Sequence, residues 1–242
     1  MVKKIFLTVA VVICCGAVLV AGAWCSAQVD SSPCTEVHVV VKDSLERQFV
    51  TAEEMEGYLK RHHVYPQGKS MQQIDCHAIE QCLQKHDMVR EVSCYKSPFG
   101  GVYIELTQRV PVLSVVSNDG CYYVDSDRRI MPAHKQIGVD IPVFRGTVSQ
   151  RAATEEYFDF VMWINNDKYW SLRIKDVYVA NPKSLILTQE GERAKIMLGS
   201  LDGYVEKLDK LQTLYTKGLN QIEHPDYREY DLRYNGQVVG RK

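Results

Sequence analysis

Two carboxylates two residues apart, Asp125 and Asp127, are the pair in this chain that could divide acid and base work on a glycosidic bond. They fall in a stretch that reads as a turn, where Asp is common because it binds nearby backbone amides. The chain carries no G-x-S-x-G, no H-E-x-x-H and no glycine-rich phosphate loop, so nucleophilic, zinc-hydrolytic and nucleotide chemistries have no motif to start from. Cys76-His77, Cys82 and His86 are types that bind metals, and Cys82 and His86 lie one helical turn apart. Cys76 and Cys82 are six residues apart, however, which places them on different helix faces, and no second ligand pair at zinc spacing accompanies them. His62-His63 closes a helical pattern, where the helix dipole favours a polar or cationic side chain. The expectation is a chain with no catalytic residue, no metal and no cofactor.

Composition narrows the partners. The 242 residues hold 29 basic and 30 acidic side chains, for a formal charge of −1, with 45% hydrophobic and 24% charged residues. That is ordinary globular composition. It supplies no basic footprint for nucleic acid, whose phosphates must be neutralised by clustered cations. About 210 residues follow the first thirty, enough for two small domains each with its own core.

The N-terminus reads as a membrane anchor. After Met1-Val-Lys-Lys4, the run from Ile5 to Val29 has no charged residue, and Ile5 to Trp24 is almost continuously apolar, with Ile5, Phe6, Leu7 and Leu19 in the span. At about 1.5 Å per residue, twenty helical residues cover a hydrocarbon core of ~30 Å, with Trp24 at the far interface. Lys3 and Lys4 orient the N-terminus to the cytoplasm. A cleaved signal peptide is the alternative, supported by the small residues Ala21-Gly-Ala23, although the apolar run is longer than such segments need. Both readings export the body of the protein. Of the eight cysteines, Cys34, Cys76, Cys82, Cys94 and Cys121 fall in the exported part, an odd number that leaves their redox state open.

The expected organisation is a cytoplasmic tail at 1–4, a transmembrane helix at 5–27, a linker at 28–34 and two domains, 35–110 and 111–242. In the first, Val37 to Val41 is a β-branched strand, and Thr51-Ala-Glu-Glu54 is a capping box opening a helix that Pro66 and Gly68 stop. Asp75 caps a second helix with Ile79, Cys82, Leu83 and His86 on one stripe. Val89 to Tyr95 and Val102 to Thr107 form a hairpin around Ser97-Pro-Phe-Gly-Gly101, the second strand burying Val102, Ile104 and Leu106. In the second domain short strands alternate with turns: Val112–Ser117, Cys121–Val124, Ile141–Gly146, Ile174–Val179, Leu185–Thr188 and Ala194–Leu198. A helix capped near Thr154 buries Tyr157, Phe158, Val161 and Ile164. A longer one, from Asp202 to Leu219, carries Tyr204, Val205, Leu208, Leu211 and Tyr215 on its apolar stripe. A last strand, Tyr227 to Tyr234, and a short Gln237-Val-Val239 end the chain.

The fold class is therefore α+β: one transmembrane helix, a strand-helix-helix-strand-strand domain, then a β-rich domain with flanking helices. Along this order stand Val89-Arg-Glu-Val92 with Val102-Tyr-Ile-Glu-Leu-Thr-Gln-Arg-Val-Pro111, then Tyr122-Tyr-Val-Asp125, Ile141-Pro-Val-Phe-Arg-Gly146, Leu198-Gly199 with Lys207-Leu-Asp-Lys-Leu211, and Tyr230-Asp-Leu-Arg-Tyr234. In that order and spacing, across essentially the whole chain, they resemble the bacterial cell division family FtsQ/DivIB, the first pair being similar to the family's "ErxP" junction. The Tyr-Tyr-Val-Asp form and the short tail look like the family's Bacteroidetes branch.

The resemblance implies a POTRA-like domain, a β-domain and a non-catalytic scaffold at the septum. Such a scaffold sits in the inner membrane with its bulk in the periplasm, recruits FtsB-like and FtsL-like proteins and other divisome proteins, and helps control septal peptidoglycan synthesis. It implies that the last strands offer an edge to the partner, at Tyr230, Leu232, Arg233, Tyr234, Asn235, Gln237, Val238 and Val239, with Tyr230, Leu232 and Tyr234 as alternate selecting side chains. Two departures stand out. Arg128 occupies a position where relatives often have Gly for a turn with φ > 0, so another turn form is expected. Arg241 follows Val239-Gly240 where some relatives have Trp, so part of the partner contact is expected to differ. The alternative function is a POTRA-containing export or envelope-assembly adaptor, disfavoured because repeated POTRA units and a series of barrel strands are both missing.

Overall fold

The computed structural model describes residues 15–17, 32–43, 49–118, 120–133, 140–218, 227–234 and 236–242. The expected membrane span lies outside these, apart from the helical Cys15, Gly16 and Ala17. Among the described residues no helix is long and apolar enough to cross a membrane. The chain divides into two compact units, with the boundary between Arg109 and Val110.

The first unit runs β1 (Glu36–Val41), α1 (Ala52–Arg61), α2 (Cys76–Gln84), β2 (Val89–Lys96) and β3 (Gly101–Gln108). Its sheet has the order β1-β3-β2, with β1 parallel and β2 antiparallel to β3. Both halves of the capping box at α1 are made: Glu54 N donates to Thr51 Oγ1 at 3.1 Å, and Thr51 N to Glu54 Oε2 at 3.2 Å. Asp75 caps α2 through Ala78 N. His63, just past α1, takes the left-handed position that Gly often fills at a helix end, and Val64 N bonds back to Leu59 O. Met55, Leu59, Ile79 and Leu83 from the helices meet Val102, Ile104 and Leu106 from the central strand in one core. Cys34, Cys76, Cys82 and Cys94 belong to or pack on that core as free thiols, and burial pushes the Cys34 and Cys94 thiols up. Gln108 closes the unit. Its buried amide oxygen accepts from Phe49 N at 2.9 Å and Val50 N at 3.3 Å, tying the approach to α1 onto the end of β3.

The second unit is a nine-stranded sheet, β12-β11-β10-β9-β8-β7-β4-β5-β6. Its strands are β4 (Pro111–Ser117), β5 (Gly120–Asp125), β6 (Ile130–Pro132), β7 (Val143–Gly146), β8 (Ile174–Asn181), β9 (Ser184–Gln189), β10 (Lys195–Gly199), β11 (Glu229–Asp231) and β12 (Val239–Arg241). Parallel neighbours need a crossover, and helices supply it for β7–β8 and β10–β11, whereas β4 reaches its parallel neighbour β7 through β5 and β6. The chain between β7 and β8 contains α3 (Gln150–Thr154) and α4 (Glu156–Asn166), and that between β10 and β11 contains α5 (Tyr204–Thr213) with a π-type turn at Leu214–Gly218. Phe160 and Trp163 of α4 meet the Tyr204 ring of α5 edge-on at 5.1 and 5.4 Å, so both helices cover one sheet face. Beneath them lie Leu113, Val115, Phe144, Val177, Val179, Leu185, Leu187, Ile196 and Leu198, all essentially inaccessible.

The structure departs from the sequence reading at several points. The cap in the 149–156 region is Ser149, which opens α3, while Thr154 Oγ1 donates back to Gln150 and Arg151 carbonyls. A kink at Glu155 then starts α4 with no side-chain cap. On α5 the buried stripe is Leu208 and Leu211 with Tyr204 and Tyr215 packed beside it, whereas Val205 is 37% exposed, one residue and so about 100° off that face. The last strand is three residues, Glu229–Asp231, and the closing segment pairs at Val239–Arg241 instead of 237–239. The strand β6 carries too short a pattern to be read beforehand.

Arg128 overturns the expectation of another turn form. It adopts φ 63°, the left-handed conformation a glycine would take, while Asp125 Oδ1 accepts from Asp127 N at 2.9 Å and Arg129 N at 2.7 Å to hold the same turn. The strain of roughly 1–2 kcal/mol for a residue with a Cβ is offset by what the side chain reaches. Its guanidinium donates to Thr154 O at the end of α3 (3.0 Å) and to Asp159 Oδ1 of α4 (2.6 Å), and lies 4.3 Å from the Phe158 ring centroid. Arg128→Ala, which keeps the strain and loses the clamp, is expected to cost about 1–2 kcal/mol, and Arg128→Gly to recover about 1 kcal/mol of it; urea midpoints of the two variants give the order directly.

Candidate functional site

The two ends of the nine-stranded sheet are chemically unequal. At one end β6 is three residues long and finishes in Pro132, which has no N–H to offer an incoming strand. At the other end β12 pairs antiparallel with β11 in the register Glu229↔Arg241, Tyr230↔Gly240 and Asp231↔Val239. No described strand pairs with its outer side. An edge of this kind presents backbone donors and acceptors to any extended segment that comes alongside.

The edge is held by one carboxylate. Asp231, whose side chain is fully buried, accepts from Arg233 Nε at 2.8 Å and Nη2 at 2.6 Å, a two-point pairing, and from Arg233 N at 3.1 Å. From the edge strand, Arg241 Nη2 adds a further bond at 3.1 Å, while its Nη1 faces Glu229 Oε2 at 3.8 Å. These charge-assisted bonds, those of the Arg233 side chain foremost, hold the Asp231 carboxyl below its ordinary range. Arg233 is drawn in over Gly199, which has φ 77° and whose missing Cβ would meet Arg233 Cγ at 2.8 Å. The register of β10 against β9 shifts between Met197 and Gly199, and Leu232 N continues the pairing by donating to Met197 O at 3.0 Å. Leu198-Gly199 and Asp231-Leu-Arg233 thus form one structural unit.

A second glycine sets the strand itself. The Tyr227 ring lies against the backbone of Gly240, so close that a Cβ there would come within 2.8 Å of Tyr227 Cε1. Behind the strands Tyr230 packs edge-on to Tyr215 at 5.2 Å and to Tyr227 at 5.6 Å, and burial pushes its hydroxyl up. Beside the edge a shallow groove of ≈ 70 Å³ runs between the start of α5 and the segment that leads into β12. Leu232, Tyr234, Gln237 and Val238 line one wall, and Asp202, Glu206, Lys207 and Lys210 the other. It is far smaller than the roughly 300–1,000 Å³ of a typical small-molecule site. Lys207 crosses its floor to Leu198 O (3.3 Å) and Ser200 O (2.9 Å), and burial lowers its pKa.

Of the residues expected to select a partner, Tyr230 and Leu232 are 5% and 2% exposed, so both turn into the core and support the edge from behind. Tyr234 is 47% exposed, Arg233 is exposed outside its pairing, and Gln237, Val238 and Val239 lie on or next to β12. Asn235 lies outside the described residues. The sequence assigns Asp231 and Gly240 no role of their own, and marks Arg241 only as a departure from relatives. An Asp-x-Arg spacing on a strand, which puts both side chains on one face, was the available signal for the first. Asp125, considered for acid–base chemistry, is 1% exposed and its carboxylate holds the Arg128 turn. No cluster of three or more potential metal ligands occurs among the described residues.

Because the Asp231 carboxyl is held low in the folded state, its contribution is complete above the unfolded value of about 4 and fades as pH falls below it. Asp231→Asn is expected to cost about 2 kcal/mol at neutral pH and less at pH 3, so the gap in urea midpoint between variant and parent should narrow on acidification; a gap independent of pH would contradict the pairing. Residues 32–107 match the model of the POTRA-like domain, and residues 110–241 match that of the family described as FtsQ/DivIB, C-terminal related. No curated protein matches the chain. The second match alone covers more than half of the sequence, and the chain belongs to the FtsQ/DivIB C-terminal-related family.

Proposed function

We propose that this protein is a non-catalytic, membrane-anchored scaffold of bacterial cell division, which binds an FtsB-like protein and, with it, an FtsL-like protein by strand addition at β12. Family membership supports the division role. The observation that carries the docking reading is the inequality of the two sheet edges, one ending in Pro132 and the other open along Val239–Arg241. Main-chain pairing along β12 supplies affinity without demanding a particular partner sequence, and the groove beside it supplies selection through Tyr234, Gln237 and Val238. Asp231, Arg233, Tyr230 and Leu232 act by holding the edge in place.

The uncharged run from Ile5 to Val29 supports a single span with the N-terminus in the cytoplasm. The two folded units then lie in the periplasm, at the septum, where contact with the FtsB-like and FtsL-like pair influences septal peptidoglycan synthesis. The acid–base alternative loses its best pair, since Asp125 is committed to a turn.

Titrating the full chain in lipid nanodiscs with the extracytoplasmic segment of the FtsB-like protein from the same organism measures the docking. Tyr234→Lys is expected to weaken binding by about tenfold or more, about 1.4 kcal/mol, with an unchanged urea midpoint. Gly240→Val, which must displace the Tyr227 ring, is expected to weaken it as well. Parent-level binding by both variants would overturn the assignment of the edge.

A further inference from the structure

Phe99 is 93% exposed, the most exposed large apolar side chain among the described residues. It forms the tip of the β2–β3 hairpin, where Ser97 N donates to Gly101 O at 2.8 Å, Gly100 N to Ser97 O at 3.3 Å and Phe99 N to Ser97 Oγ at 3.3 Å. Gly100 takes φ 83° in this turn, and its carbonyl accepts from Thr35 N at 3.1 Å. That last bond locates the tip. Because β1 is parallel to β3, with Glu36 opposite Gly101, the chain enters the domain at the end where the hairpin turns. The turn around 66–70 is there too, since Cys34 N donates to Lys69 O at 2.8 Å and Gly68 N to Cys34 O at 3.0 Å. Nothing in the first unit's own core uses the ring.

The sequence fixes how far this end can be from a bilayer. The uncharged run read as the span closes at Ala27, and Pro33 follows it by six residue steps. Even fully extended, six residues reach roughly 20 Å. An exposed apolar ring at the end where the chain enters the domain, within that tether of the run read as the span, suits the headgroup–acyl boundary, where a Phe ring is favoured. Pro98 beside it is also exposed and has no N–H to desolvate. Lys96 and Lys69 flank the tip, with Nζ atoms on Met71 O and His63 O.

We propose that Pro98-Phe99 is a membrane foot: the Phe99 ring inserts into the interface of the same bilayer that holds the anchor, and so fixes the orientation of the first unit on the membrane. The inference rests on the reading of Ile5 to Ala27 as a span. Its occupant is a phospholipid surface, and the anchor's short tether brings the two together.

The test is quenching of tryptophan emission by brominated lipids, with the full chain reconstituted in phosphatidylethanolamine/phosphatidylglycerol vesicles. Trp24 of the parent reports the anchor, and a W24F chain with and without F99W reports the tip, the natural Trp163 and Trp170 being common to both. The foot predicts that F99W adds emission that is quenched to an extent comparable with Trp24, and that is shifted to shorter wavelength in vesicles. Unquenched F99W emission beside a quenched Trp24 would overturn the foot and leave the anchor standing. Loss of quenching at Trp24 as well would remove the anchor reading and the foot with it.

Discussion

One buried carboxylate decides whether the end of the sheet exists. Asp231 sits where β10, β11 and β12 meet, and the two outermost have few ladder bonds of their own: β11 and β12 are three residues each. Two arginines close on it, one from the segment that follows β11 and one from the edge strand itself. The pairing places a charge out of water and compensates it with several donors, the condition under which a buried carboxylate is tolerable. Gly199 and Gly240 are the matching concessions in the backbone, the first making room for the Arg233 stem and the second for the Tyr227 ring.

The same arrangement reconciles two opposing needs of an exposed edge. A long, flat, apolar edge pairs with whatever arrives, and aggregation follows. Here the edge is short, carries Arg241 and is followed by Lys242, so indiscriminate pairing is discouraged. On the proposed docking, a partner that also fills the groove beside α5 would recover affinity from side chains that a random strand lacks. At the opposite end Pro132 removes a donor from β6. The sheet is thereby open to company at one end, and that end is shaped by α5, Tyr234 and the segment leading into β12.

Much of the fold was legible because local signals were strong and agreed with one another. The capping box at Thr51, the Asp75 cap and the period-2 alternation of Val102, Ile104 and Leu106 each name an element without tertiary information, and all three occur. Strands of three residues carry no periodicity, so neither the existence of β6 nor the limits of β11 and β12 can be read from their own residues. The burial of Tyr230 and Leu232 was hidden for a related reason: at a sheet edge, which face is buried depends on the helix packed behind it, and that is set by α5 through contacts distant in sequence. Arg128 shows the limit of reading a glycine position as a rule. A residue with a Cβ holds φ > 0 there because its side chain recovers the strain on α3 and α4, elements encoded more than twenty residues later.

The central claim is that partner binding is a backbone event at β12. Amide hydrogen exchange of the full chain in nanodiscs, with and without saturating FtsB-like extracytoplasmic segment, reads that event at the bonds concerned. The account predicts slowed exchange concentrated in Val239–Arg241 and the adjoining groove segment, with the rest of the sheet unchanged. Saturable binding that protects amides elsewhere and leaves β12 exchanging at its free rate would contradict it.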